Sequence, residues 1–333
     1  MLLERKHVPS RAAFTLVELL AVIVIIGILS SIMLTALASA AETAREARTR
    51  SQILRIHELL STRWESYRTR RVEAADPVKF TTVRGRMGNR VDKIRELMRM
   101  EVPSTRDDLF DDKKVLSATP ALHRRYKRMI VKFTGGVGPN LDAQWNDVVN
   151  NDKWTKYNDS AECLYLILAS IQDGDANGLE FLRDNEIGDL DGDGVPEVLD
   201  GWGRPLYFAR WPVGYTEASS VLNDEYAPDP FDPLGVRNGL AKTGDKYNHF
   251  AIFPLIMSAG GDQQINRVFD FENGTDYANT SPARNNPYIE GNHPDVDDPV
   301  LQPLKVRVGG IWDTREAGHF DNISNHQLVV GGG

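Results

Sequence analysis

The chain has 333 residues, of which 41% are hydrophobic, and a formal net charge of −8 at pH 7. The excess of acid argues against a nucleic-acid-binding protein and favours binding of cations. The single cysteine, Cys163, excludes an intrachain disulfide, and within its apolar run we expect a buried small side chain rather than a nucleophile.

A short basic leader precedes a long apolar segment at the N-terminus. Arg5, Lys6 and Arg11 lie before the apolar run Leu19–Ala41, whose 23 residues are enough to span a bilayer. The basic flank predicts that the N-terminus stays in the cytoplasm and that the body of the chain lies outside the inner membrane. One carboxylate, Glu18, stands beside this run, and an acid at membrane depth indicates a function because its burial in lipid costs free energy.

The residues around Glu18 resemble the N-terminal signal of type IV pilins and of the pseudopilins of type II secretion. Two alanines end the leader, and Phe14-Thr-Leu-Val-Glu18 follows them. In that family a prepilin peptidase cuts before the Phe and methylates the new amine, and the Glu pairs with the N-terminus of a neighbouring subunit during assembly. The resemblance implies a cut between Ala13 and Phe14 and an assembly role for Glu18. Ala13 departs from the glycine that the family usually has there.

Two simpler explanations of the N-terminus remain open. Ala38-Ser-Ala40 could serve as an ordinary secretory cleavage site, which would remove the whole apolar helix. A plain signal anchor would keep the helix but give it no assembly role. Neither explanation accounts for the sequence Phe-Thr-Leu-Val-Glu.

The helix is predicted to continue beyond the apolar run. The stretch from Ala40 to Arg71 contains neither Pro nor Gly, and its large apolar residues recur at helical spacing while charged residues fill the other faces. This pattern predicts an amphipathic continuation, which fits both a pilin helix and a helical stalk without a filament role. The apolar positions are Ile53, Ile56, Leu60, Trp64 and Tyr67.

We interpret the charged stretch 73–155 as an insertion, and the sequence does not indicate its function. Helices are predicted at Asn89–Met100 and around Pro120–Phe133, and the acidic segment Asp107–Asp112 is expected to be a solvated loop. A further helix, Ala161–Ile171, is expected to pack on the head.

Acids recur at alternate positions between Asp189 and Asp200. Acids at loop positions 1, 3 and 5, Gly194 at position 6 and an acid at position 12 match a calcium loop, in which alternate oxygens converge on one ion. An acidic surface turn is the alternative interpretation. The expected ligands are Asp189, Asp191, Asp193, the backbone carbonyl of Val195, Glu197 and Asp200.

The residues after this loop predict a strand rather than the exit helix of an EF-hand. Gly, Pro and alternating aromatic residues between Gly201 and Trp211 favour a turn and a strand. Asp200-Gly-Trp-Gly-Arg-Pro-Leu206 resembles the segment that opens the C-terminal sheet of major pseudopilins, and Phe250–Asp262 and Phe320–His326 resemble later parts of that head. A second calcium site between residues 262 and 321 is conceivable, but no spacing selects among Asp262, Asp270, Asp276, Asp295, Asp297, Asp298 and Asp321.

These observations predict an α+β protein. A long N-terminal helix would pack on a C-terminal head that has a small antiparallel sheet and long loops. The expected divisions are a leader at 1–13, the pilin helix at 14–72 with its membrane span at about 19–41, the insertion at 73–155 and the head at 156–333. No zinc-spaced His pair, phosphate loop, dinucleotide fingerprint or nucleophile elbow occurs in the sequence, so we expect no catalytic residues and no enzyme.

The resemblance implies a structural subunit of a type II secretion pseudopilus or type IV pilus-like filament, with a calcium-stabilised head. Its partners would be prepilin peptidase, other pilin or pseudopilin subunits, the inner-membrane assembly platform and membrane lipid, with no nucleic acid. It would reside in the inner membrane with a periplasmic head before entering a filament. The alternatives are a membrane-anchored calcium-dependent binding module that never polymerises and, less favoured, an exported hydrolase.

Overall fold

The computed structural model describes residues 16–72, 81–111, 115–174, 176–216, 220, 222–237, 239–265, 287–288, 291–292, 305–306 and 321–328. Contacts divide the chain into two compact units, Met1–Arg45 and Glu46–Gly333. The described part has an α+β architecture, as the sequence predicts. The division into leader, helix, insertion and head stays a prediction.

Helix α1, Leu16–Thr69, is the longest element. In the first unit it is lined by large apolar side chains that are 43–80% exposed, from Leu16 to Leu37. In the second unit its apolar stripe is buried, and the five positions predicted from helical spacing all lie in the core. The predicted amphipathic continuation is therefore confirmed, and the helix ends two residues before Arg71.

Five shorter helices follow in the second unit, where the sequence predicts an insertion and the start of the head. Local capping explains some of their ends: the Thr82 hydroxyl accepts a hydrogen bond from the Gly85 N–H at 3.0 Å, and Gly135 terminates a helix in the left-handed region. The helices are α2 (Val83–Glu101), α3 (Arg106–Phe110), α4 (Ala121–Thr134), α5 (Leu141–Asn150) and α6 (Asp159–Ser170).

Helix α6 lies between two hydrophobic cores. Its Leu164, Ile167 and Leu168 pack with α1, α2 and the central sheet, whereas Cys163 and Leu166 pack with α3, α4, α5 and Trp154. Because α6 is almost entirely buried, its apolar sequence contributes to both cores at once. Cys163 is fully buried, as the sequence predicts.

The acidic segment 107–112 was expected to be a solvated loop, and this prediction is wrong for Asp108. Residues Arg106–Phe110 form α3, and Asp108 is only 6% exposed. Its carboxylate lies 2.6 Å from the guanidinium of Arg210, and Arg99 lies 4.0 Å away. A buried carboxylate is tolerated here because two arginines neutralise it, Arg99 from the preceding helix and Arg210 from a distant part of the chain.

The strands of the described part are short, and every pairing between them is antiparallel. The central sheet has the order β13–β10–β5, with Ile256 opposite Phe208 and Met257 opposite Ser324. The first strands are β1 (Gln172–Asp173), β2 (Ala176–Asn177), β3 (Ile187–Gly188), β4 (Glu197–Val198), β5 (Tyr207–Ala209), β6 (Asp224–Pro228) and β7 (Lys242–Thr243). The remaining elements are β8 (Lys246–Tyr247), β9 (Phe250–Ala251), β10 (Leu255–Ser258), β11 (Gly291–Asn292), β12 (Lys305–Val306), β13 (Ile323–Ser324) and α7 (Asn325–Leu328), with 3₁₀ turns at Gly178–Phe181 and Asp184–Glu186.

Candidate functional site

The first candidate site is the exposed apolar part of α1. Fifteen large apolar side chains between Leu16 and Leu37 are exposed, and this is the one helix of the described chain that is long and apolar enough to cross a membrane. So much exposed apolar surface is unfavourable in water, and lipid or neighbouring apolar helices would cover it. By length and composition, therefore, the segment is suited to membrane anchoring.

Glu18 lies in the first turn of α1. A carboxylate in this position interacts favourably with the positive end of the helix dipole, which offsets part of its cost in an apolar setting. The predicted processing residues, Ala13 and Phe14, lie outside the described residues. One hydroxyl further along the apolar part, that of Thr35, donates back to the Ile32 carbonyl of its own helix at 2.9 Å.

The second candidate site is the acid-rich loop that begins at Asp189. Asp189 accepts hydrogen bonds from the N–H groups of Gly192 and Gly194, at 2.8 and 3.1 Å, so it closes the turn. Gly194 has a φ of 95°, and a Cβ there would meet the Phe133 carbonyl oxygen at 2.7 Å. Glycine is therefore required at this point both by the backbone conformation and by the close approach of α4.

Asp191 and Asp193 turn towards the helical side of the second unit. Asp191 accepts a hydrogen bond from the Thr155 hydroxyl at 2.6 Å, and Asp193 accepts from the Thr155 N–H at 2.8 Å. Val195 anchors the loop, since its side chain is fully buried in the second hydrophobic core. The two aspartates are therefore held against the segment that leads into α6.

A third carboxylate meets them from α6. Glu162 is fully buried, and its carboxylate comes together with those of Asp191 and Asp193 so that one oxygen from each lies within 4.8 Å of the others. One Glu162 oxygen accepts from the indole N–H of Trp154 at 2.6 Å, while the other, Oε1, has no hydrogen-bond partner in the described part of the chain. This acidic cluster, Glu162, Asp191 and Asp193, is the candidate metal centre.

The electrostatics of the acidic cluster are unfavourable for three charged carboxylates. Burial, reinforced by the negative charges of Asp193 and Asp191, raises the pKa of Glu162 to about 10. Burial also raises the pKa of Asp193. A proton or a cation must therefore compensate the cluster at neutral pH.

The other predicted ligands make different contacts. Glu197 accepts from the Asn158 side-chain amide at 3.0 Å and from the Leu190 N–H at 2.9 Å. Asp200 accepts from the N–H groups of Trp202 and Arg204 and from the Ser258 hydroxyl, so it braces the turn before β5 against β10. As predicted, the described residues between Gly201 and Trp211 form a turn and strand β5 and not an exit helix.

Residues 9–34 match the family model of the prokaryotic N-terminal methylation motif. The motif and the long apolar helix fit a type IV pilin-like or pseudopilin-like N-terminus. The match covers residues 9–13 of the predicted leader, Phe14, Glu18 and most of the exposed apolar part of α1, and it leaves the second unit unassigned. The curated proteins and the solved structures contain no significant match to this chain.

Sequence reasoning missed Glu162, the member of the acidic cluster that α6 contributes. It lies 29 positions before Asp191, so no loop spacing connects the two. The sequence does contain an indication that Glu162 is unusual, because it is the one charged residue in the largely apolar stretch Ala161–Ile171. An acid on a helix that is buried on all sides requires a partner.

The region of the possible second calcium site lies mostly outside the described residues. Of its acids, Asp262 and Asp321 are described, and the Asp321 carboxylate accepts from the Asp262 N–H at 3.0 Å. This contact fastens the Gly-rich turn after β10. The other five acids, Asp270, Asp276, Asp295, Asp297 and Asp298, are outside the described residues.

Proposed function

We propose that this protein is a structural subunit of a type II secretion pseudopilus or type IV pilus-like filament. The observation that carries the proposal is the methylation motif at residues 9–34 together with a helix whose large apolar side chains are exposed from Leu16 to Leu34. A filament in which such helices pack side by side would bury this surface. Nothing in the proposal requires catalysis.

In this proposal the chain first enters the inner membrane with Arg5, Lys6 and Arg11 on the cytoplasmic side. Prepilin peptidase then removes residues 1–13 and methylates the amine of Phe14. The assembly platform moves the subunit from the lipid into the growing filament, and the head remains on the periplasmic side.

Glu18 would set the register of the incoming subunit. Its carboxylate carries a negative charge in apolar surroundings, and the Phe14 amine of a neighbouring subunit carries the matching positive charge. A subunit that slips along the filament leaves both charges unpaired, which costs about 3–5 kcal/mol for a buried pair. The correct register is thus favoured over the alternatives.

The head of the subunit would be stabilised by calcium at the loop 189–200. Closely spaced carboxylates on a tight turn support this part of the proposal, since calcium prefers six to eight hard oxygen ligands. The chain cannot form an intrachain disulfide, so a bound cation would be a useful alternative way to stabilise an exported head.

The test of the filament role is Glu18→Ala in the native host. We expect the variant to reach the membrane in normal amounts but to yield at least about tenfold less sheared filament, because the buried Phe14 amine of the neighbouring subunit would lose its partner at a cost of about 3–5 kcal/mol. Each 1.4 kcal/mol lost at a subunit contact weakens association tenfold. Glu42→Ala is the matched control, since it removes an exposed carboxylate from the same helix beyond the predicted span. Normal filament yield from Glu18→Ala would contradict the proposed mechanism.

Mass spectrometry of the N-terminal peptide from the same membranes distinguishes the proposal from its alternatives. A mature chain that begins at N-methylated Phe14 is the expected result. An intact leader would instead indicate a membrane-anchored binding module that does not polymerise, and a start near Ala41 would indicate an ordinary secreted protein.

A further inference from the structure

The acidic cluster contains a buried carboxylate, that of Glu162, which receives fewer hydrogen bonds than it can accept. Glu162 is fully buried on α6, and while the three carboxylates are charged its Oε1 atom has no hydrogen-bond donor among the described residues. None of the ion pairs formed within the described part of the chain involves Glu162, Asp191 or Asp193. A buried carboxylate without a full set of partners is costly, so the arrangement needs a compensating positive species.

The geometry suits a cation. One oxygen from each of the three carboxylates lies within 4.8 Å of the others. Calcium–oxygen bonds are 2.3–2.6 Å long, so oxygens this close can all reach one ion. Carboxylates are hard ligands, and the cluster includes neither His nor Cys, which argues against zinc.

We propose that Glu162, Asp191 and Asp193 together bind one calcium-like divalent cation, with α6 supplying a ligand from outside the loop. The inference rests on the calcium site proposed above and deepens it: the cation joins the loop to a buried helix instead of ordering the loop alone. Because a carboxylate ligand from a rigid helix is already in place, binding loses less conformational entropy than closing a free loop would.

The site would connect three parts of the second unit. The loop contributes Asp191 and Asp193, α6 contributes Glu162, and the segment before α6 orients all three carboxylates through Trp154 and Thr155. Trp154 and the loop residue Val195 also lie in the same hydrophobic core. Cation binding would therefore stabilise this core as well as the loop.

The test uses the full chain in detergent after treatment with EDTA. Calcium is titrated by calorimetry, and Tm is measured with EDTA, calcium or magnesium. We expect calcium to bind and raise Tm, and we expect Glu162→Gln and Asp191→Asn each to weaken calcium binding at least tenfold and to reduce the rise in Tm. Glutamine is isosteric and can still accept from the Trp154 indole, so Tm in EDTA should stay near that of the wild type.

Asp142→Asn is the control, because Asp142 is an exposed acid on α5 that belongs to no part of the cluster. Glu162→Asp provides a second variant if Glu162→Gln fails to fold: it keeps the charge but withdraws the carboxylate by one methylene, and it should also weaken binding. Wild-type affinity in the Glu162 variants with lost affinity in Asp191→Asn would overturn the inference while leaving a calcium site in the loop alone.

Absence of calcium binding to the wild-type chain would overturn both the inference and the calcium part of the proposed function. The filament role would be untouched by that result, since it is decided by Glu18→Ala.

Discussion

His326 is a fully buried histidine whose two ring nitrogens both have partners. Its Nδ1 lies 2.8 Å from the Ser220 hydroxyl, and its Nε2 lies 3.2 Å from the Pro254 carbonyl oxygen. A neutral ring with the proton on Nε2 satisfies both contacts. Burial lowers the pKa of His326 to about 4, because a charged ring would lose its hydration.

This residue gives the stability of the protein a pH dependence. The folded-state pKa of about 4 lies below the ordinary value of 6.5, so the unfolded chain binds more protons between these two values. The stabilisation is complete above pH 6.5 and is lost as the pH falls towards 4, by about 3 kcal/mol for a shift of this size. We expect His326→Gln to show a flatter decline than the wild type, as measured by denaturant unfolding of the full chain between pH 7 and 4. Equal slopes for the two proteins would contradict the assignment.

Among single residues, only some members of the candidate metal centre could be predicted from the sequence. The alternating acids and Gly194 are visible in the sequence because loop ligands are close neighbours along the chain. Glu162 is brought in by the packing of α6, and Thr155 supports the aspartates from another segment. Contacts of this kind depend on the tertiary fold, so no spacing between residues in the sequence predicts them.

At the scale of elements, the second half of α1 is held by its buried stripe. Ile56 is fully buried in the first hydrophobic core, whereas Leu54 on the same helix is 36% exposed. We expect Ile56→Ala to destabilise the protein by about 2–4 kcal/mol, because it removes buried methylenes and leaves a cavity. Leu54→Ala is the matched control and should cost less than about 1 kcal/mol.

Denaturant unfolding of the full chain in detergent measures both variants. Similar losses for Ile56→Ala and Leu54→Ala would mean that α1 does not pack in this register.

Helices were more predictable than strands for a physical reason. The predicted bounds of α4 and α6 lie within two residues of the observed ones, since periodic apolar positions over ten or more residues give a clear signal. The predicted end of α2 also agrees, but the helix begins at Val83, six residues before the predicted start at Asn89. Most of the strands have only two residues and carry no pattern of their own. The segment around β5 is predicted from its Gly, Pro and aromatic residues, and the segment around β10 from the resemblance of Phe250–Asp262 to a later part of the pseudopilin head.

For the molecule as a whole, buried charge joins the helical part of the second unit to its central sheet. Arg210 follows β5, and it donates both to Asp108 of α3 and to the Val102 carbonyl at the end of α2. Burial alone would raise the pKa of Asp108, but the guanidinium groups of Arg210 and Arg99 hold it below its ordinary value. The wrong prediction of a solvated acidic loop follows from this pairing, because Arg210 lies 102 residues away in sequence.

We expect Asp108→Asn to destabilise the protein by about 3 kcal/mol, since it leaves the buried guanidinium of Arg210 without the carboxylate of Asp108. Arg99 loses one of its two carboxylates and keeps Asp111 at 3.8 Å. Asp152→Asn is the control: Asp152 also pairs with an arginine, Arg106, at 2.6 Å, but its side chain is 72% exposed. Loss of that pair should cost at most about 1 kcal/mol. Thermal or denaturant unfolding measures the loss of stability in both variants. Equal losses would show that the buried pair does not hold the helical part of the second unit to the central sheet.

The burial of Cys163 has a practical consequence. Its thiol is inaccessible, and burial raises its pKa well above the usual range, so the reactive thiolate does not form in the folded protein. Since the chain has no other cysteine, a single cysteine introduced at an exposed position such as Val137 would be the only thiol open to a maleimide dye. Fluorescent labelling of the native fold at one chosen point therefore needs no removal of the natural residue.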